Sequence, residues 1–204
     1  MKNILILYYS RHGSVAALAR EVAAGVEGVD RCAAMLRTVP AVSSVSASVA
    51  PEIPDEGDVY CELAEVESCD GLILGSPTRF GATAAPLKHF FEQTTSLWLS
   101  GALDGKPAGV FTSSGSMHGG QESTLLAMMP PLLHHGMVLV GLPFYRTALG
   151  RTETGGTPYG ASHVAGTDNR RALSTDEKDL AQTLGARVAR CALALSAESV
   201  TTSR

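Results

Sequence analysis

Residues 10–15, Ser10-Arg11-His12-Gly13-Ser14-Val15, set two hydroxyls, a guanidinium and an imidazole around a glycine, between an apolar run and a helical pattern. A glycine lets the main chain turn tightly. The unpaired N–H groups that open a helix, with the positive end of its dipole, attract an anion. With Ser10 and Ser14 as hydroxyl donors the segment reads as a phosphate cradle, an ordinary capped strand-to-helix turn being the other reading. It is neither Gly-x-Gly-x-x-Gly nor Gly-Lys-Ser/Thr, so a monophosphate suits it better than a dinucleotide or a triphosphate.

A second segment, Ser76-Pro77-Thr78-Arg79-Phe80-Gly81, joins a rigid proline turn to a hydroxyl, a guanidinium and an aromatic ring. Thr78 and the backbone can read the polar edge of a flat ring, Phe80 can cover part of its face, and Arg79 can offset negative charge on it. The alternative is an exposed loop with an anchoring Phe. A third, Ser113-Ser114-Gly115-Ser116-Met117-His118-Gly119-Gly120, offers small residues that let a ligand approach the main chain, or else is a permissive turn. A phosphate at one end and a planar ring at the other describe flavin mononucleotide (FMN). No residue is assigned as a catalytic acid or base, and no metal ligands are assigned.

The elements that must bring these segments together alternate. Residues 4–9 form an almost unbroken apolar run, the pattern of a strand buried on both faces. Val15, Leu18, Val22 and Val26 then recur at helical spacing, with Gly25 and Gly28 ending the pattern. A weak strand over 33–39 runs into an aperiodic surface excursion over 40–54. A short helix near Leu63 precedes a strand at 71–75. A helical face of Leu87, Phe90, Phe91 and Thr94 follows, then a strand at 107–112. A helix over 121–133 is expected to kink or end early at Pro130-Pro131. A fifth strand spans 137–142. The last helix opens with a capping box, Ser174 with Glu177. Five strands alternating with helices predict an α/β fold, a doubly wound five-stranded parallel sheet with helices on both faces. In such a sheet ligands bind beyond the carboxyl ends of the strands, where all three segments lie.

The 204 residues and 45% hydrophobic content suit a single domain over 1–204, interrupted by an insertion over 143–173. A net charge of −4 with scattered Lys and Arg gives no reason to expect nucleic acid as a partner. The absence of an 18-residue apolar run, with a strand pattern at the N-terminus, leads to the expectation of no membrane anchor and a cytoplasmic location. Cys32, Cys61, Cys69 and Cys191 show no C-x-x-C spacing and read as unpaired thiols.

At these residues the chain resembles the WrbA-type NAD(P)H:quinone oxidoreductases, a flavodoxin-like family that uses FMN. The resemblance rests on L-Y-Y-S at 7–10, G-S-P-T-R-F-G at 75–81, L-W-L-S-G-A-L at 97–103, G-G-Q-E at 119–122, H-H-G-M at 134–137 and G-G-T-P-Y-G-A at 155–161. It implies that Ser10, Arg11, His12, Gly13, Ser14 and Val15 hold the FMN phosphate and that Thr78, Arg79 and Phe80 contact its ring. It further implies that Ser113, Ser114, Gly115, Ser116, Met117 and His118 form the third FMN loop and that His134 reaches the flavin. Trp98 would line the quinone or nicotinamide site, and His12, which stands where the family usually has Tyr, would touch the nicotinamide. On its own Trp98 reads equally as a core or interface anchor, and His134 as a helix-end residue. The resemblance also implies a homotetramer and two-electron, ping-pong transfer from NADH or NADPH to a quinone. A flavodoxin-type single-electron carrier between protein partners is the competing reading.

Overall fold

The computed structural model describes residues 1–41, 57–146 and 148–198. The first strand, β1 (Lys2–Tyr8), is buried from Ile4 onward and divides its side chains by parity. Ile4, Ile6 and Tyr8 pack into one core with α1 (Ser14–Glu27) and α6 (Thr175–Glu198). Leu5 and Leu7 pack into a second core with α2 (Leu63–Ser68), α3 (Ala85–Glu92), α4 (Thr95–Ser100) and α5 (Gln121–His134). Successive side chains of a strand point to opposite faces, so an unbroken apolar run needs a helical layer on each side.

With β2 (Cys32–Thr38), β3 (Gly71–Pro77) and β4 (Pro107–Ser114), the sheet is parallel throughout and ordered β2-β1-β3-β4-β5. This is the expected flavodoxin-like doubly wound order, with its reversal between β1 and β3. Beside β4, however, the fifth position is filled in two pieces. The short β5 (Val138–Leu139) pairs with Pro107 and Ala108, and β6 (Ala161–Val164) pairs with Phe111 through Ser114. The chain leaves the strand after Val140, whose N–H donates to the Ala108 carbonyl at 2.7 Å, runs through 3-10 turns at Phe144–Arg146 and Ala148–Gly150, and returns alongside its exit, the Leu142 N–H donating to the Pro158 carbonyl at 2.9 Å. The segment 143–173 therefore does not sit outside the sheet. Its residues 161–164 complete the fifth strand.

Three further expectations change. Gly25 lies inside α1, not at its end, because α6 crosses there: a Cβ on Gly25 would lie 1.9 Å from the Gln182 carbonyl oxygen. Pro130 and Pro131 do not end α5, which runs on to His134. Both prolines are on the exposed face, and the carbonyls they deprive of donors, those of Leu126 and Ala127, belong to exposed residues that water can satisfy. Ser113 and Ser114 belong to β4 and are buried. The expected surface excursion falls largely on 42–56, outside the described residues.

Candidate cofactor site

The carboxyl ends of β1, β3 and β4 enclose a cavity of about 160 Å³. From the first segment Ser10, Arg11, His12, Ser14 and Val15 line it; from the second, Thr78 and Arg79 together with Pro77; from the third, Ser113, Ser114 and Gly115. Gly13 sits at φ 86° as the residue before α1, a left-handed conformation that costs any other residue strain. No side chain caps this helix, so its first N–H groups remain available to a ligand. Beside them the Ser10 hydroxyl is buried with no hydrogen-bond partner. A buried hydroxyl without a partner costs free energy. An oxyanion seated on the N-terminus of α1 would satisfy it, and this donor set therefore fits a phosphate.

The second segment is a tight hairpin turn. Arg79 and Ala82 exchange both backbone hydrogen bonds, at 2.9 and 3.0 Å, and the two residues between them, Phe80 at φ 53° and Gly81 at φ 77°, have the positive φ pair of a type I′ turn. Asn and Gly are the usual choices at these positions; a Phe is strained there. Phe80 is fully exposed and does not line the cavity. The Thr78 N–H donates to the Ser113 carbonyl at 3.0 Å, and its hydroxyl lies 2.8 Å from that of Thr124 on α5, which ties the turn to the next strand and helix.

The third segment splits in two. Ser113, Ser114 and Gly115 line the cavity, whereas Ser116, Met117 and His118 are exposed and stand away from its lining. Behind it runs a buried polar chain that the sequence reading missed. The Gly156 N–H donates to the Ser162 hydroxyl at 2.7 Å. Ser162 donates to Gln121 Oε1 at 2.6 Å, Gln121 Nε2 donates to the Ser114 hydroxyl at 2.8 Å, and Ser114 donates to the Ser116 carbonyl at 2.7 Å. Gln121 opens α5 right after the Gly-Gly pair; its polarity at a buried first-turn position was a signal, but its partner Ser162 is 41 residues away. Asn169, also missed, completes the lining from the turn that follows β6.

Trp98 and His134 are placed together, but at a different cavity. It measures about 390 Å³, lies among α3, α4 and α5, and is lined also by Phe91, Thr95, Pro131 and His135. It shares no lining residue with the first. The separation follows from the fold. The crossover helix α5 leaves the carboxyl end of β4 at Gln121 and delivers the chain to the amino end of β5, so His134, its last residue, lies about 20 Å along the helix from the first. Trp98 is half-exposed, and the neighbouring His135 is buried with Nε2 2.9 Å from the Thr94 hydroxyl. Burial, and then the adjacent His134, hold the His135 pKa below its ordinary value.

A doubly wound sheet whose reversal point carries an uncapped helix N-terminus, an unpartnered serine hydroxyl and two small-residue strand ends defines a flavodoxin-like, flavin-phosphate-binding class of protein. The chain belongs to the NADPH-dependent FMN reductase family, whose model matches residues 2–148, and it is a flavin-dependent oxidoreductase. It is 42% identical over 195 residues, 92% of this chain and 96% of the relative, to an NAD(P)H dehydrogenase (quinone) of Solidesulfovibrio magneticus. It is 41% identical over 198 residues, 96% of this chain and all of the relative, to an NAD(P)H dehydrogenase (quinone) of Sinorhizobium fredii. Among solved structures it resembles a flavodoxin, WrbA-like protein from Agrobacterium tumefaciens (TM-score 0.65, 24% identity, covering 95% of this chain and 99% of that one). It also resembles Flavodoxin 1 from Bacillus cereus (TM-score 0.58, 14% identity, covering 93% and 98%). The two structural likenesses bear on the fold, which they share with this chain.

Proposed function

We propose that the chain binds FMN in the first cavity and reduces quinones to hydroquinones in a ping-pong cycle with NADH or NADPH, as a cytoplasmic homotetramer. The observation that carries this reading is the buried, unpartnered Ser10 hydroxyl beside the uncapped N-terminus of α1. The names of the relatives supply the substrate class.

FMN bound there would supply the hydride chemistry that links a reduced nicotinamide to a quinone. The chain's own residues bind and orient. Ser10, Ser14 and the N–H groups after Gly13 hold the phosphate. Thr78, Arg79, Ser113, Ser114 and Gly115 face the remainder of the cofactor, with the Arg79 guanidinium offsetting negative charge. His12, exposed at the rim, would meet the nicotinamide dinucleotide.

The tetramer is part of the same reading. A cavity of 160 Å³ is small against the roughly 300–1,000 Å³ of ordinary ligand clefts, and a second subunit could extend it on the substrate side. Trp98 and His134 line a different cavity from the flavin site, so a role for them at the flavin would come from a neighbouring chain. Exposed Trp98, Leu99, Leu126 and Leu133 on α4 and α5 give that face an apolar surface to bury. Among the described residues no helix is long and apolar enough to cross a membrane. The four free cysteines suit a reducing compartment.

Anaerobic reduction of the FMN-loaded protein by each nicotinamide, followed by mixing with benzoquinone, tests the reading. Fast reduction by a nicotinamide and full reoxidation by quinone are expected. Reoxidation only by a protein acceptor would favour the single-electron carrier, and a protein that takes up no FMN would remove the proposal.

A further inference from the structure

We infer that Asn169 is an FMN-contacting residue and that the buried pair His163–Glu177 acts as its positioning device. The inference rests on the flavin reading of the first cavity. Asn169 lines that cavity from the turn 165–171, facing Ser10 and Ser14 from the β6 side. Its φ is 57°, a left-handed value that Asn tolerates better than other side chains apart from glycine. Its amide is a neutral donor, the kind of group that can bind phosphate or ribityl oxygens without repelling either.

The turn is held where it meets the protein core. Its first residue, Ala165, donates its N–H to the Ser114 carbonyl at 2.8 Å, so the turn starts from the strand that itself lines the cavity. At the far end both polar backbone groups of Arg171 are engaged. Its N–H donates to the Ala165 carbonyl at 3.0 Å, and its carbonyl lies 3.1 Å from His163 Nε2. A carbonyl has no proton to give, so Nε2 is the donor. On the other side of the ring His163 Nδ1 lies 3.0 Å from Glu177 Oε2, a carboxylate oxygen that also accepts the Ser174 N–H. Glu177 Oε1 accepts from the N–H groups of Gly155 and Val164, at 2.9 and 3.0 Å. His163 and Glu177 are both buried. One side-chain pair thus fixes the returning insertion, the end of β6, the start of α6 and the closing residue of the Asn169 turn. A buried polar pair is not needed to hold a core together, because replacing such a pair by packed apolar residues is often neutral or stabilising. A requirement for fixed geometry at the turn accounts for it.

The test compares FMN dissociation constants of the full-length protein with the melting temperatures of its FMN-free form. N169A is expected to weaken FMN binding about fivefold to tenfold, the ordinary worth of one hydrogen bond, with only the small fall in melting temperature that an alanine at φ 57° brings. N169D is expected to weaken it further, and the additional loss is expected to shrink as salt is raised, because a carboxylate would face the phosphate. H163Q cannot span Glu177 and the Arg171 carbonyl as the ring does and is expected to weaken FMN binding by a similar factor. In the H163Q background N169A is then expected to cost nothing more, since a displaced Asn169 has no contact left to lose. G166A provides the same comparison from the exposed turn, where Gly166 at φ 79° admits a side chain only under strain, and it leaves the buried pair intact. Wild-type affinity in N169A would overturn the contact. A full N169A loss in both the H163Q and G166A backgrounds would overturn the positioning role. Failure of the wild-type chain to bind FMN would instead be failure of the flavin reading itself.

Discussion

Ser162, on the returning half of the fifth strand, donates its hydroxyl hydrogen to Oε1 of Gln121 at 2.6 Å, joining a strand within the insertion to the helix that starts above the cavity. Gln121 then donates to Ser114, which lines that cavity. The two ends of its amide point in opposite directions, so only a side chain with both an acceptor and a donor can bridge the gap. Q121L fills the space with carbon and leaves the hydroxyls of Ser114 and Ser162 buried and short of a partner. A loss of about 2 to 4 kcal/mol is expected, read as a lower urea midpoint at unchanged slope. The triple variant S114A/Q121L/S162A is expected to recover only part of that loss, because it removes the desolvation penalty of the two hydroxyls but leaves the Gly156 N–H and the Ser116 carbonyl without their partners.

Ser10 is expected to give opposite signs for stability and binding. In S10A the buried hydroxyl that lacks a partner is gone, so the FMN-free protein should be unchanged or more stable by up to about 1 kcal/mol. FMN should bind about 10- to 100-fold more weakly, the range of a charge-assisted hydrogen bond of about 1.5 to 3 kcal/mol. Thermal melting without FMN and fluorescence titration with it give the two numbers. A stability loss with unaltered affinity would make Ser10 an ordinary structural residue and place the phosphate elsewhere.

What could be read from the sequence divides along physical lines. The first strand was legible because burial on both faces leaves an unbroken apolar run, and α1 because its core face repeats at Val15, Leu18, Val22 and Val26, all buried. The loops that supply the cavity were legible because serine and glycine at the end of an apolar run have few other uses. Gly25 misled because a glycine at a close helix crossing and a glycine at a helix end look alike in one dimension. The division of the fifth strand was hidden for a different reason: Ala161–Val164 is four residues long, and only the register opposite Phe111 to Ser114 makes it a strand. Asn169 shows the same limit. Its turn chemistry is visible in the run Gly166, Thr167, Asp168, Asn169, but the direction in which the turn points is set by the backbone contacts of Arg171 with Ala165 and His163.

Phe80 combines an unfavourable backbone with full exposure, and neither helps the chain by itself. A left-handed φ costs a residue with a Cβ about 1 to 2 kcal/mol. F80N, which suits the turn, should therefore raise the melting temperature of the FMN-free protein by a few degrees. If the strain is kept because an aromatic ring is needed at the mouth of the flavin site, the same variant should lose quinone reduction, seen mainly as a raised KM. A variant that gains stability and keeps full turnover would show that Phe80 has no part in the reaction.

The carboxyl of Glu177 sets the acid limit of the fold. Burial pushes its pKa up, but the His163 ring and the N–H groups of Ser174, Val164 and Gly155 outweigh burial and hold it at about 2, against an ordinary 4.5. The folded value lies below the unfolded one, so the unfolded chain binds the proton more readily. The ionised carboxylate then contributes stability that is fully present above about pH 4.5 and is lost as pH falls through about pH 2, in all about 3 kcal/mol. The wild-type urea midpoint should fall steeply across this window. E177Q cannot take up that proton, so its midpoint should start lower at pH 7, where the four donors lose their anion, and the gap from wild type should narrow steadily toward pH 2. Parallel curves for the two proteins would mean that Glu177 is not ionised in the folded state and that the pair it forms with His163 does not hold the turn in the way described.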